Sequence, residues 1–216
     1  MALAYNNIKE AFTVLILTSN GLSSEKLLNE TKKYILSGMK KAAMITTASA
    51  GYKEKDWHVP KLTTELTSLG LSVDYFDFDV QKAELLESYD VIEIIGGNPF
   101  YLLKKMKESN CAPLFKKFKN KKVIIGISAG SIVLQNDIGL IAGYSPELNS
   151  KVGLTDFTGL CLTDIFILPH YHKFKTRFDN FEQRAQEYER KNNCKILRID
   201  DGQGIFVCDA RTYMVV

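Results

Sequence analysis

Gly126-Ile127-Ser128-Ala129-Gly130 sets a serine between two glycines, directly after the apolar run Val123-Ile124-Ile125. A G-x-S-x-G segment between a strand and a helix is the setting of a nucleophile elbow. The reason is steric: a serine at the tip of so tight a turn is held in strained backbone, and its neighbours must be small where the chain nearly touches itself. A serine hydroxyl also needs a base. The chain has three histidines, His58, His170 and His172. His170 and His172 follow the apolar run Ile165 to Leu168, in Leu168-Pro169-His170-Tyr171-His172. A histidine just past a strand end, on the same sheet edge as Ser128, is placed to be that base, so His170 leads and His172 is the fallback. His58, in Asp56-Trp57-His58-Val59-Pro60, reads as structure or pocket wall.

The base needs an orienting acid. In elbow enzymes the chain order is serine, acid, histidine. Asp137, Glu147, Asp156 and Asp164 lie in that interval. Asp137 falls near the end of the helix that carries Ser128, and Glu147 lies in a loop able to fold back. Spacing alone does not choose between them. An oxyanion hole takes two backbone donors: Ala129 N–H by position, and Gly97 as the candidate in Ile94-Ile95-Gly96-Gly97-Asn98-Pro99-Phe100.

The elements that must position these residues alternate. Strands are predicted over Phe12–Thr18, Lys41–Thr47, Ser72–Asp77, Tyr89–Ile95 and Lys121–Gly126. Between them run helical stretches: Lys26–Ser37 opened by Ser24, then a loop and helix over Lys53–Leu69 with Pro60 in its first turn and Gly70 as its stop, Lys82–Glu87, and Phe100–Lys107. Ala129–Leu134 follows the fifth strand as a helix. Nearly continuous apolar strands separated by helices imply an α/β chain with a mostly parallel sheet covered on both faces. Ligands of such sheets bind beyond the carboxyl ends of the strands, here Ser19-Asn20, Thr47 to Gly51, Gly96 to Pro99 and Gly126 to Gly130. Later come a strand at Ile165–Leu168, a helix at Arg177–Lys191, closing strands at Lys195–Ile199 and Gly204–Cys208, a turn at Asp209–Thr212 and a last strand at Tyr213–Val216. No linker interrupts this, so residues 1–216 read as one domain.

Composition removes other classes. The 216 residues carry 28 Lys+Arg against 25 Asp+Glu, a net +3, which gives no basic excess for nucleic acid. At 45% apolar and 25% charged the chain matches a globular protein, not a disordered one. Cys111, Cys161, Cys194 and Cys208 form no C-x-x-C, and read as buried free thiols. The N-terminus has no signal-peptide pattern and the apolar runs are strand-sized, so a cytoplasmic protein with no membrane partner is expected.

Taken together, four segments resemble the peptidase E family, the aspartyl dipeptidases and their cyanophycinase relatives. They are Gly96-Gly97-Asn98-Pro-Phe-Tyr-Leu-Leu103, Gly126-Ile-Ser128-Ala-Gly130, Leu168-Pro169-His170-Tyr171 and Asp200-Asp201-Gly202-Gln203-Gly204. The resemblance implies a class I glutamine-amidotransferase-like (flavodoxin-like) sheet with serine in place of cysteine. It implies Ser128 as nucleophile, His170 as base, and Gly97 and Ala129 as the oxyanion hole. It favours Glu147 over Asp137 as the third member, on a loop between serine and histidine. It sets Asn98 at the substrate and an arginine beyond the histidine, Arg177 or Arg184, on an acidic substrate side chain, for which a planar guanidinium fork suits both carboxylate oxygens. Pro99 departs from the family, which often has Thr or Ser there.

The expected activity is hydrolysis of a short peptide with an acidic first residue, through an acyl-enzyme, with no cofactor and no metal. The expected partner is a small peptide and the expected state a monomer or homodimer. Three rivals share parts of this pattern. Glutamine amidotransfer wants a cysteine at the elbow, an esterase shares the elbow, and a ligand-binding homologue would keep the fold without the chemistry. A nucleotide-binding module would need a phosphate loop, and neither G-x-G-x-x-G nor G-x-x-x-x-G-K-[ST] occurs where a strand meets a helix.

Overall fold

A computed structural model describes residues 14–119, 121–207 and 213–216. In chain order its elements begin β1 (Leu15–Thr18), α1 (Glu25–Lys32), β2 (Lys41–Ile45), α2 (Val59–Ser68), β3 (Ser72–Phe76), β4 (Val91–Ile94), α3 (Pro99–Glu108), α4 (Ala112–Phe118) and β5 (Val123–Ile127). They continue with α5 (Ala129–Val133), α6 (Gly139–Tyr144), α7 (Glu147–Ser150), β6 (Phe166–Leu168), α8 (Tyr171–Arg177), α9 (Phe181–Asn192), β7 (Ile196–Arg198), β8 (Gly204–Val207) and β9 (Tyr213–Val215). The main sheet has the order β3-β2-β4-β5-β1-β8-β9. Its first five strands are parallel, and β8 and β9 add an antiparallel edge.

The parallel strands are buried on both faces, which is why they read as unbroken apolar runs. Alternate side chains feed two cores. Leu15, Leu17, Ala43, Ile45, Ile92 and Ile94 point to one side, with Phe100, Leu103 and Phe115 from α3 and α4. Ile16, Ala42, Met44, Val91 and Ile125 point to the other, with Leu27 of α1 and Leu62 and Leu66 of α2. Each of the larger side chains among these, Leu, Ile, Val, Met or Phe, contributes roughly 1.5–3 kcal/mol when fully buried rather than exposed. A smaller cluster of Tyr144, Leu168, Phe181, Ala185 and Ile196 holds the separate parallel pair β6-β7 against α6 and α9.

Register sets the functional edge. Thr18 pairs with Ile127, and Ile94 with Gly126, so β1, β4 and β5 end nearly level. The residues that follow them, Ser19, Gly96 and Ser128, therefore share one rim.

The predicted elements occur, mostly shortened at their ends. α1 stops at Lys32 rather than Ser37, and Tyr34, Ile35 and Met39 reach the core from turns. Lys82–Glu87 is a 3-10 turn over Ala83–Ser88. The 177–191 helix starts only at Phe181, because Tyr171–Arg177 forms a helix of its own. Four short helices, α4, α6, α7 and α8, were not expected. Phe12 and Thr13, the Asp209–Thr212 turn and Cys208 lie outside the described residues. Cys111, Cys161 and Cys194 are free as expected, but of these only Cys111 is buried; Cys161 is exposed and Cys194 half-buried.

Candidate active site

Ser128 stands at φ 49°, ψ −109°, a backbone conformation rarely adopted by a residue with a side chain. Such strain costs on the order of 1–3 kcal/mol and persists only where the surroundings over-determine it. They do so here. A Cβ on Gly126 would lie 2.7 Å from Ser131 N, and one on Gly130 would lie 2.1 Å from the Ile94 carbonyl oxygen. α5 is also pinned to β1: Ser131 Oγ donates to Thr18 O (2.9 Å) and accepts from Thr18 N (3.0 Å). Ala129 is the first residue of α5, so its N–H has no partner within the helix.

The loop after β4 lies against the serine. A Cβ on Gly96 would come within 3.3 Å of Ser128 Cβ. Gly97 takes φ +142°, and a Cβ there would strike the Ala48 carbonyl oxygen at 2.4 Å, so only glycine fits. Asn98 N donates to that same carbonyl (2.9 Å), which fastens this loop to the one after β2.

His170 comes to the serine from the second sheet. Its Nε2 lies 3.0 Å from Ser128 Oγ, and its Nδ1 lies 2.6 Å from Asp201 Oδ1. The β6-β7 register explains the second contact. Leu168 pairs with Arg198 in parallel, so the residues just beyond each strand end side by side. Tyr171 N donates to Ile199 O there (3.1 Å). His170 has left-handed backbone, φ 56°, ψ 35°. Ser19, fully buried at the end of β1, accepts from His170 N (2.9 Å), donates to Asp201 Oδ1 (2.6 Å) and lies 3.2 Å from His170 Nδ1.

The electrostatics suit a base. Burial pushes the His170 imidazole below its ordinary pKa, and the adjoining Asp201 only partly restores it. The ring is therefore neutral near pH 7, able to take a proton. Burial acts to raise Asp201, but the Ser19 hydroxyl and the His170 ring outweigh it and hold the carboxyl below its usual range.

The structure thus brings together Ser128, His170 and Ala129, lays the Gly96-Gly97 loop against the serine through Gly96, and sets Asp201, not Glu147, on the imidazole. Both ring nitrogens are taken by Ser128 and Asp201. Glu147 opens α7 instead, in the wall of a cavity of about 490 Å³ shared with Asn98, Tyr101 and Lys151. The other acids are engaged elsewhere. Asp137 Oδ1 accepts from Gly139 N (2.7 Å) and from Tyr188, Asp156 pairs with Lys107, and Asp164 accepts from Asn136 (3.0 Å). The fallback base, His172, is exposed and tied through Nδ1 to Asp200. His58 is held through Nδ1 by Asp56 (2.8 Å) and stacks on Trp57.

Asn98 lines the cavity, but its amide is committed to structure. Its Oδ1 caps α3 by accepting from Phe100 N and Tyr101 N, and its Nδ2 donates to Leu148 O (2.8 Å). Arg184 donates to Gly143 O (3.2 Å) and lies over Tyr144, on the α6 side of α9. Arg177 is exposed at the end of α8, its guanidinium over Phe178.

The sequence places Ser19 beyond a strand end and Asp201 in one of the four resembling segments, but assigns neither to the site. Ser19 directly follows β1, whereas Asp201 lies three residues past Arg198, the end of β7. The serine–acid–histidine order borrowed from other elbow enzymes directed the search to the wrong interval.

A sequence profile of peptidase family S51 matches residues 15–215. The chain belongs to peptidase family S51. It is a serine-type peptidase on that membership. An uncharacterized peptidase of Listeria monocytogenes is 30% identical over 174 residues, 78% of this chain and 82% of that one. Peptidase E of Escherichia coli is 28% identical over 191 residues, 81% of this chain and 76% of that one. Among solved structures, a Listeria monocytogenes protein assigned to peptidase E superposes with a TM-score of 0.72 at 25% identity, covering 95% of this chain and 98% of its own. The S51 chain and that structure share the mostly parallel sheet with its helices. Among the described residues of this S51 peptidase, no helix is long and apolar enough to cross a membrane.

Proposed function

We propose that this S51 peptidase removes an acidic first residue from short peptides, above all dipeptides, with Ser128 as nucleophile, His170 as base and Asp201 as the orienting acid. The observation that carries the reading is the continuous chain Ser128 Oγ–His170 Nε2 (3.0 Å) and His170 Nδ1–Asp201 Oδ1 (2.6 Å). A carboxylate on Nδ1 fixes the tautomer whose Nε2 lone pair faces the serine.

Ser128 Oγ attacks the scissile carbonyl carbon while His170 Nε2 takes the hydroxyl proton. The oxyanion forms against the N–H groups of Gly97 and Ala129. His170 then gives its proton to the leaving amine, and water, deprotonated by the same ring, releases the first residue from Ser128. Preference for an acidic first residue is supported by the two cations that follow the base along α8. Lys173 and Arg177 stand at i and i+4, on one stripe of the helix, and the Lys173 charge reaches the His170 ring. Arg177 is therefore the reader we propose, because Arg184 is engaged on Gly143.

The test is steady-state hydrolysis of Asp-Leu and Ala-Leu by the wild type and by Ser128→Ala. The wild type is expected to prefer Asp-Leu, and the variant to lose about 10⁴-fold or more in kcat. A variant that keeps wild-type turnover overturns the triad. Equal hydrolysis of both peptides overturns the specificity alone.

A further inference from the structure

Asp201 is an unusual partner for a catalytic histidine because its side chain is 47% exposed, while that of His170 is 16% exposed. Water screens an exposed carboxylate, so such a pair holds geometry weakly. Ser19, in contrast, is fully buried. Its one hydroxyl uses its whole hydrogen-bonding capacity on this site. The O–H donates to Asp201 Oδ1 (2.6 Å), one lone pair accepts from His170 N (2.9 Å), and the second faces His170 Nδ1 at 3.2 Å.

The backbone bond is the unusual part. His170 is left-handed at φ 56°, a conformation that a residue with a side chain keeps only when its surroundings enforce it. Ser19 therefore grips both the strained main chain of His170 and its ring, and also holds the acid. It can do so because Ser19 directly follows β1, level with Ser128 across the Thr18–Ile127 pair, and Ser128 N itself donates to Thr18 O (3.0 Å). Nucleophile and Ser19 are thus fixed to the same strand end, and Ser19 sets the distance at which the second sheet presents His170.

Resting on the triad proposed above, we infer that Ser19 is the principal positioning residue of the site: it orients His170 toward Ser128 and fixes the Nδ1–H tautomer, with exposed Asp201 as its dependent partner. The Ser19 hydroxyl contacts His170 Nδ1, His170 N and Asp201, not Ser128 Oγ or His170 Nε2, so its loss acts on kcat through His170.

The experiment measures kcat, KM and the pH profile of kcat/KM for wild type, Ser19→Ala, Ser19→Thr and Ser128→Ala, with thermal melting alongside. Ser19→Ala is expected to lower kcat roughly 10- to 100-fold, the worth of a hydrogen bond to a charged group, with KM unchanged. The wild-type acid limb should lie below the ordinary histidine value, because burial lowers His170. In Ser19→Ala it should move up, since Asp201 loses the donor that holds its pKa down and the ring is freed toward water. Ser19→Thr restores the hydroxyl and is expected to recover most of kcat. A Ser19→Ala enzyme with wild-type kcat overturns the inference. So does a slower one whose loss matches its unfolded fraction with the acid limb unmoved. Full turnover by Ser128→Ala would instead strike the triad itself, which keeps the two failures apart.

Discussion

The two carboxylates that compete for the third place in the site are told apart by one substitution each. Asp201 Oδ1 contacts His170 Nδ1, whereas Glu147 sits on α7 facing the cavity wall. Asp201→Asn keeps the shape but offers an amide N–H to Nδ1, which favours the tautomer with its proton on Nε2, pointing at the serine instead of accepting from it. In a buried triad that reversal costs about 10⁴-fold in kcat. Here the exposed carboxylate and the Ser19 contact soften it, and a loss of about 10²-fold is expected. Glu147→Gln should leave kcat within about twofold, because Glu147 is exposed on α7 and contacts neither His170 nor Ser128, so it has no interaction that a transition state could lose. Parallel kinetics on the two variants decide the assignment: a crippled Glu147→Gln beside an active Asp201→Asn would reverse it.

At the scale of elements, a glycine decides the site more than any helix propensity does. Gly130 lies within α5, where Gly→Ala on propensity alone would stabilise by up to about 1 kcal/mol. Its Cβ, however, would lie 2.1 Å from the Ile94 carbonyl, a backbone atom of β4 that cannot step aside. Overpacking of this kind costs typically 1–3 kcal/mol, so the sign reverses. Gly130→Ala should melt lower than wild type and turn over far more slowly, as α5 lifts off the sheet and carries Ser128 away from His170. A variant that melts higher with full activity would show that the elbow tolerates the shift. This steric logic was legible from Gly126-Ile-Ser128-Ala-Gly130 alone, as were the five parallel strands, since both are local patterns. The partner of His170 was not. Asp201 reaches it through the pairing of β6 with β7, elements separated by α8 and α9, and nothing local in either strand announces that register. α7 escaped notice for a related reason. Four residues, Glu147–Ser150, hold too little periodicity to stand out from a loop. Ser19 was within reach, as a residue past a strand end, but one hydroxyl among the chain's many has no signature until its partners are in place.

Across the whole molecule, the sheet carries one group that works against its own stability. Glu93 lies mid-strand in β4, fully buried, between Met44 of β2 and Ile125 of β5. Neither carboxyl oxygen meets a hydrogen-bond partner among the described residues. Burial, reinforced by the charge of Glu65, pushes its pKa well above the ordinary carboxylate range, with Lys61 only partly opposing this. The folded state thus holds a proton that the unfolded chain releases near pH 4.5. The sign follows from linkage: this group's contribution is most favourable below the unfolded pKa and is lost as pH rises toward the folded one. A buried, unsatisfied polar group also costs about 1–3 kcal/mol whatever its charge. Glu93→Met keeps the length of the side chain and removes both penalties, while Met44 and Ile125 offer it an apolar bed. For a chain of this size each kcal/mol moves the melting temperature by roughly 2–4 °C, so the variant should melt several degrees higher. The gap should be smallest near pH 5 and widen toward pH 8, because only the wild type is being drawn to ionise. Melting curves of both proteins across that range test the claim. A variant that melts lower throughout would mean that the carboxyl is satisfied in solution and that its place in the sheet is stabilising.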